Sequence, residues 1–303
     1  MKLFDQKNNW YKGNLHTHTK LSDGLAEPSE SIEAYKNRGY NFLAITDHRK
    51  LYNGIEESDF LILSGIEFDI NDYSGNRKAW HIVGIGMDNS TSVEDILHPV
   101  NETITPQYYV NNIIKNNGIA ILAHPAWSLL SHDDVMSLEG YLGFEVWNTV
   151  SHTKSNRGDS TLYVDLIAVQ SEYPLIFASD DTHFYNTDLF GGYIMVNSGT
   201  MKKEDIINNI KNGNFYCSQG PEINQITIEK DEVYVETSPV ESISFMTDTF
   251  YCADRISYEN NKLITEAKYK IKETDRYVRI ECREKDGRRA WSQVIPLKRS
   301  LCC

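Results

Sequence analysis

The chain has 303 residues, a 40% apolar composition and a formal net charge of −13. That length allows one large α/β domain, or one of moderate size with a small appendage, and the apolar share fits a soluble protein with a proper core. The acidic balance weighs against long nucleic acid as the main partner, because affinity for a phosphate backbone comes largely from Lys and Arg displacing counterions.

The first chemical signal is His16-Thr17-His18-Thr19-Lys20-Leu21-Ser22-Asp23-Gly24. Residues two apart on a strand point the same way, so His16 and His18 are expected to project from one strand toward one place. Taken alone, two partly exposed histidines on an edge strand explain the pattern as well. A helix is predicted next, with Pro28 near its start, acidic residues in its first turns and Gly39 just past its end. The strand over residues 41–45 ends in Thr46-Asp47-His48, and one over 60–66 ends in Glu67. Residues 69–78 read as a turn and 79–86 as a strand carrying His81.

A helix is predicted over 106–117, closed by Gly118, then a buried strand over 119–123 that stops at His124-Pro125. A short helix over 133–138 and a strand over 143–148 follow, then a helix over 161–171. The strand over 174–178 ends in Ser179-Asp180-Asp181-Thr182-His183, and a strand over 192–198 and a helix over 202–212 complete this series. Apolar strands, polar loops bearing His, Asp or Glu, and helices alternate. That order predicts βα units on a parallel sheet, closed into a barrel with its site at the C-terminal mouth.

Past residue 215 the pattern changes to period two, with turns at Lys230-Asp231 and Asp286-Gly287. Residues 221–303 therefore read as a small antiparallel, sandwich-like β domain behind an α/β unit over 1–220. No stretch is long and apolar enough for a signal peptide or a membrane span, so a cytoplasmic protein with no membrane contact is expected. The five cysteines, Cys217, Cys252, Cys282, Cys302 and Cys303, form no C-x-x-C pair and are expected to be reduced thiols, the last two in a frayed end.

His16, His18, Asp23, His48, Glu67, His81, His124, Asp181 and His183 collect six of the nine histidines and three carboxylates, all within the first 183 residues. Such a set points to a shared metal site. Bound cations would reverse the acidic field locally and suit a small anionic substrate.

His-x-His with Ser-Asp-Gly, Ile-Thr-Asp-His, Gly-x-Glu, a strand His, Ala-His-Pro and Asp-x-His occur in order. Together they resemble the polymerase and histidinol phosphatase (PHP) superfamily over residues 10–220. Asn-Leu-His-Thr-His-Thr, Asp180-Asp181, the segment 216–222 and the β tail look like its carbaryl hydrolase branch. The resemblance implies a distorted (β/α)7 barrel holding two or three divalent ions, Mn²⁺, Zn²⁺ or Fe²⁺. His16, His18, Glu67 and Asp181 would hold the first ion, and Glu67 would bridge to a second held with His81 and His124. Asp23, His48 and His183 would hold a third. Asp23 stands where some members carry His, and a carboxylate there tilts the site from Zn²⁺ toward Mn²⁺, Fe²⁺ or Mg²⁺.

The implied activity is a phosphoesterase that uses a metal-bridging hydroxide on a small phosphorylated metabolite, nucleotide or short oligonucleotide. The alternatives are ester, carbamate or amide hydrolysis of the carbaryl hydrolase type, or a non-catalytic metal-binding module. No protein nucleophile is needed, in keeping with the absence of a Gly-x-Ser-x-Gly elbow.

Asp47 and Asp180 each precede a ligand and could orient an imidazole or relay a proton. The stretch 148–157 reads as a loop at the mouth, where His152, Lys154 or Arg157 could grip a phosphate or protonate a leaving group. Arg49 and Arg77 lie beside the metal loops. Trp80, Trp127 and Trp147 are candidates for pocket walls or for core packing, and His98 and His132 read as capping or surface residues.

Overall fold

The computed structural model describes residues 1–73, 75 and 77–297. Cys302 and Cys303 lie outside the described residues, as do two positions of the expected 69–78 turn. The elements run β1 (Asn9–Asn14), α1 (Pro28–Asn37), β2 (Phe42–Ala44), β3 (Ile55–Glu56), β4 (Leu61–Leu63), β5 (Gly65–Asn71) and β6 (Ala79–Ile85). They continue with α2 (Val93–Leu97), α3 (Pro106–Lys115), β7 (Ile119–Leu122), α4 (His132–Met136), β8 (Gly143–Asn148), α5 (Thr149–Ser155), α6 (Thr161–Ala168) and β9 (Leu175–Ser179). After β10 (Tyr193–Ser198), α7 (Lys203–Lys211) and β11 (Phe215–Ser218) the chain is sheet-rich: β12 (Ile223–Glu229), β13 (Glu232–Val240), β14 (Ser242–Met246), β15 (Ile256–Tyr258), β16 (Ile264–Lys270), β17 (Tyr277–Arg283), β18 (Arg289–Ser292) and β19 (Ile295–Pro296).

Local chemistry sets the helix ends. Pro28 opens α1, the Glu27 amide donates to Glu30 Oε2 at 2.8 Å, and Gly39 takes φ +73° past its end. Thr105 caps α3 by accepting from the Tyr108 amide at 3.1 Å, and the helix buries Tyr108, Tyr109, Val110 and Ile113.

The strands form a mixed α/β arrangement. One sheet runs β15-β14-β17-β18-β11-β10-β1-β2-β4-β3, with β19 beside β17. A second runs β5-β6-β7-β8-β9 and a third β12-β13-β16. The expected all-parallel order holds for β1-β2-β4 and β7-β8-β9. It fails where β6 pairs antiparallel with both β5 and β7, and β10 with β1. Among the described residues no helix lies between β5 and β6, and a short connection can join only antiparallel neighbours.

No closed barrel is detected among the described residues. The first two sheets meet instead at single parallel bridges, Thr17 with Thr182 and His48 with Glu67, and share one apolar core. The expected strand over 60–66 is divided at Ser64: β4 stays in the first sheet and β5 enters the second. A Cβ on Gly65 would lie 2.3 Å from the Ile45 carbonyl oxygen, so the crossing requires glycine. Glu67 therefore sits inside β5 rather than at a strand end.

The first sheet runs without a break across residue 220, because β11 pairs with β18. The chain start also joins the C-terminal strands, with the Leu3 amide donating to the Ile226 carbonyl at 3.0 Å. A second core lies among β12 to β18 and includes Phe4 and Tyr216. No helix among the described residues is long and apolar enough to cross a membrane.

Arg279 of β17, 1% exposed, forks onto Asp165 of α6 through Nε at 2.9 Å and Nη2 at 2.8 Å, and reaches Glu281 at 3.1 Å. Removing one partner strands a buried charge. Asp165→Ala is expected to cost about 2 kcal/mol, with Glu281 left to share the guanidinium. A urea midpoint lowered at unchanged slope would register it, and an unmoved midpoint would show that the fork adds nothing to stability.

Candidate metal centre

His16 and His18 lie just past the end of β1, on either side of the bridged Thr17. They are not in a regular strand, but the local alternation holds, and their Nε2 atoms lie 3.2 Å apart. Asn14 fixes the turn of chain by donating to the His16 carbonyl at 2.9 Å and to Thr17 Oγ1 at 2.7 Å. His16 Nε2 is 3.2 Å from both Asp181 Oδ1 and Glu67 Oε1. His18 Nε2 is 3.1 Å from Asp181 Oδ1 and 3.3 Å from Glu67 Oε2.

Glu67 also meets His81 Nδ1 at 3.0 Å and His48 Nδ1 at 2.9 Å. Asp23 lies 3.4 Å from His18 Nδ1, 3.5 Å from His183 Nε2 and 3.8 Å from His48 Nε2. Three donor groups result, each with its ligand atoms within 4.8 Å of one another: His16, His18 and Asp181; His48, Glu67 and His81; His18, Asp23, His48 and His183. His124 stands beside them, its Nε2 3.6 Å from Asp181 Oδ2 and 3.8 Å from Glu67 Oε1. His124 and Asp181 take φ +29° and +52°, a left-handed backbone that non-glycine residues adopt at a cost, here at two donor positions.

These donors fit divalent cations. Three buried atoms of the site, His48 Nδ1, Glu67 Oε2 and Asp181 Oδ1, have no hydrogen-bond partner. The first two are 2.9 Å apart yet are not aligned to bond each other. Lone pairs that converge without donors call for a cation. Charge says the same. Burial lowers the pKa of His16, but Asp181, Glu67 and Glu145 outweigh it and hold the imidazole well above its usual range. Burial raises Glu67, but His81, His16 and His48 outweigh it and hold the carboxyl well below. A cation would take the place of those imidazolium protons. His124, pushed down to about 4 by burial and by His81, is already neutral at pH 7.

One carboxylate at this site is not evident from the motifs. Glu145, 2% exposed on β8, lies 2.8 Å from His16 Nδ1 through Oε1, which also accepts from the Ser179 hydroxyl. Its Oε2 accepts from the His124 amide at 2.9 Å and from Asn148 Nδ2 at 2.7 Å. Similar ties hold other rings: His124 Nδ1 is 3.0 Å from Ser128 Oγ, and His183 Nδ1 is 2.9 Å from the Asp181 carbonyl. With Nδ1 held, the Nε2 atoms of His16, His124 and His183 face the carboxylates.

Residues 14–190, more than half of the chain, match the PHP domain. The chain belongs to the PHP family. Over 144 residues it is 37% identical to the DNA polymerase/3'-5' exonuclease PolX of Bacillus subtilis, which is 39% of this chain and 24% of that protein. Over 86 residues it is 31% identical to a 5'-3' exoribonuclease of Haemophilus influenzae, 26% of this chain and 30% of that one. The chain thus spans about a quarter to a third of these curated relatives. A two-domain Bacteroides vulgatus protein containing a predicted PHP-like metal-dependent phosphoesterase superposes with a TM-score of 0.53 at 12% identity, over 96% of both chains, which is a likeness of fold. None of these relatives points to the carbaryl hydrolase branch.

The PHP donors surround a cavity of about 260 Å³. Eight of the nine expected ligands line it, and His16 lies beneath, fully buried. Trp127, Val150, Ser151, Lys154 and Tyr185 complete the wall. His152 and Arg157 do not line it, which corrects their expected place. Residues 149–155 form α5 rather than a loop, and helical spacing turns Val150, Ser151 and Lys154 inward. His152 packs on Trp147 with ring centroids 4.5 Å apart, and Arg157 is exposed beyond the helix.

Asp47 and Asp180 do not line the cavity either. The Asp47 carboxylate accepts from the amides of Thr19 and Ser22 at 2.7 and 3.1 Å, and from both their hydroxyls at 2.6 Å, clamping the loop between His18 and Asp23. Asp180 accepts from Tyr35 at 2.6 Å, from Thr149 at 3.0 Å and from the amides of Phe190, Gly191 and Gly192 at 2.7–2.8 Å. Burial raises its carboxyl to about 6, against the pull of those hydrogen bonds. Arg49 is forked onto Asp69, Arg77 is exposed outside the cavity, and Trp127 packs on His124 at 4.8 Å.

Glu145→Gln keeps the shape of the side chain and removes its charge. Metal affinity is expected to fall about 10–100-fold. Calorimetric titration of chelator-stripped protein with Mn²⁺, with circular dichroism as a check on folding, would measure it. Undiminished affinity would limit Glu145 to a structural role.

Proposed function

We propose that this PHP protein is a metal-dependent phosphoesterase acting on a small phosphorylated metabolite, nucleotide or short oligonucleotide. The observation that carries the reading is the set of three donor groups sharing His18 and His48 around one small cavity, with orphaned buried acceptors aimed between them. His16, His18 and Asp181 would hold one ion, His48, Glu67 and His81 a second with His124 beside it, and Asp23 with His183 a third at the rim. Imidazole and carboxylate donors suit Mn²⁺, Fe²⁺ or Zn²⁺. Bound there, such ions supply Lewis-acid stabilisation of charge on phosphoryl oxygens and acidify a coordinated water.

The chain's own residues do the rest. Glu145, Ser128 and the Asp181 carbonyl keep His16, His124 and His183 oriented, so the donors need no rearrangement during turnover. Trp127 and Val150 wall the cavity and exclude water from one side. A space of about 260 Å³ accepts one phosphoryl end and not a duplex, and the charge of −13 repels long polyanions. The donors all lie within residues 1–220, which we take as the metallohydrolase unit, with 221–303 as the β unit behind it.

Initial rates on a chromogenic phosphomonoester, phosphodiester and carboxylic ester test the reading, using stripped protein reloaded with Mn²⁺, Zn²⁺ or Fe²⁺. Metal-dependent release from a phosphate ester is expected. His16→Ala and Asp181→Ala should reduce it to the metal-free level, beyond the about 10–100-fold cost of losing an outer partner. Wild-type rates in either variant would sink the assignment. Release from the carboxylic ester alone would move it to ester, carbamate or amide hydrolysis.

A further inference from the structure

We propose that Lys154 is the substrate-recognition residue of this site: its ammonium grips a non-bridging oxygen of a dianionic phosphoryl group, so the protein prefers phosphate monoesters to diesters and neutral esters. The inference rests on the phosphoesterase reading and specifies its substrate class.

Four observations carry it. Lys154 is the one Lys or Arg among the residues lining the cavity. The neighbouring arginines are elsewhere, Arg49 forked onto Asp69 and Arg157 exposed past α5. Second, the Lys154 charge is unspent. The same cavity contains Asp23, Glu67 and Asp181, yet no carboxylate among the described residues lies within 4.0 Å of Lys154 Nζ. An ammonium beside carboxylates that are turned toward imidazoles is free for an incoming anion.

Third, the ammonium has an aromatic neighbour that leads to a donor. It lies 5.1 Å from the centroid of the Tyr185 ring, and that ring stacks on His183 at 5.3 Å and 17°. His183 is itself tied to the Asp181 carbonyl. Lys154, an exposed side chain, is thus linked through Tyr185 to the His183 side of the cavity. Fourth, α5 is pinned to the strand ends that carry the site. Asn148 Oδ1 accepts from the Ser151 amide at 2.9 Å, the Val150 amide donates to the Asp180 carbonyl at 3.0 Å, and Thr149 Oγ1 donates to the Asp180 carboxylate. The helix that carries Lys154 is thus held against the strand ends that carry the donors.

Charge decides the class. A phosphate monoester carries about −1.5 to −2 at pH 7, a diester one charge, and a carboxylic ester or carbamate none. A compact ammonium with three donors rewards the first most.

The test compares wild type, Lys154→Met, which keeps the aliphatic stem, and Lys154→Arg, all loaded with Mn²⁺. Binding of inorganic phosphate is measured by calorimetry, and kcat and KM on an aryl phosphate monoester and a diester. Lys154→Met should weaken phosphate binding and raise the monoester KM about 10–100-fold, the loss expected for a hydrogen bond to a charged group. The monoester-to-diester ratio of kcat/KM should fall with them, while metal content stays at the wild-type level. Lys154→Arg should recover most of the loss, because the charge remains. Lys154→Met that binds phosphate as tightly as wild type would overturn the proposal. Wild-type protein that cleaves only a carboxylic ester would overturn the phosphoesterase reading instead, and the phosphate calorimetry would still decide on Lys154.

Discussion

Two carboxylates buried side by side, Glu67 at 1% and Asp181 at 5% exposure, are the constraint on which the site depends. An ionised carboxylate removed from water is costly unless paired. Six imidazole rings, those of His16, His18, His48, His81, His124 and His183, therefore approach one or both of them, and Glu145 balances His16 from behind. An arrangement that crowds this much charge and still leaves acceptor atoms unpartnered would be a poor way to stabilise a core. It suits a site whose charge is completed by cations.

The fold brings the two carboxylates together by dividing one run of apolar residues between two sheets. At Ser64 and Gly65 the chain leaves the first sheet for the second, so Glu67 faces His48, which follows β2. At the opposite side Thr17 meets Thr182, bringing the His16–His18 turn against Asp181. The site lies along this junction. Asp47 and Asp180 stabilise it from outside the cavity, one fixing the loop to Asp23 and the other tying the 190–192 backbone to α1 and α5. They position the donors through the loops they clamp, whereas the sequence suggested that each orients an imidazole or relays a proton.

Much of this was legible. His-x-His, Thr-Asp-His, Gly-x-Glu, Ala-His-Pro and Asp-x-His name seven of the nine donors, and these seven converge with Asp23 and His81. Helix punctuation at Pro28 and Gly39 was equally plain. The losses have physical causes. Glu145 sits inside an apolar strand rather than at its end, and the only signal was that a charge among buried residues needs a partner. Asn148 to Arg157 is polar apart from Val150 and read as a loop, but the Asn148 side chain caps a helix there, which turned His152 and Arg157 away and brought Lys154 in. Strand direction depends on long-range pairing, so the antiparallel β6 could not be read from local pattern.

The C-terminal strands belong to the mechanics of the site as well as to the sheet. Trp291 of β18 stacks on Trp147 at 6.3 Å and 23°, and Arg289 beside it pairs with Asp159, whose backbone bridges Trp147. The Trp147 indole donates to Thr149 Oγ1, and Thr149 in turn holds Asp180. A contiguous line of contacts thus leads from β18 to the first turn of α5, the helix that presents Ser151 and Lys154 to the cavity. Composition changes near residue 220, but the packing does not part there. The aromatic and ionic contacts that bury β18 therefore also pack behind the helix facing the donors, and residues more than a hundred positions away in sequence share in its support.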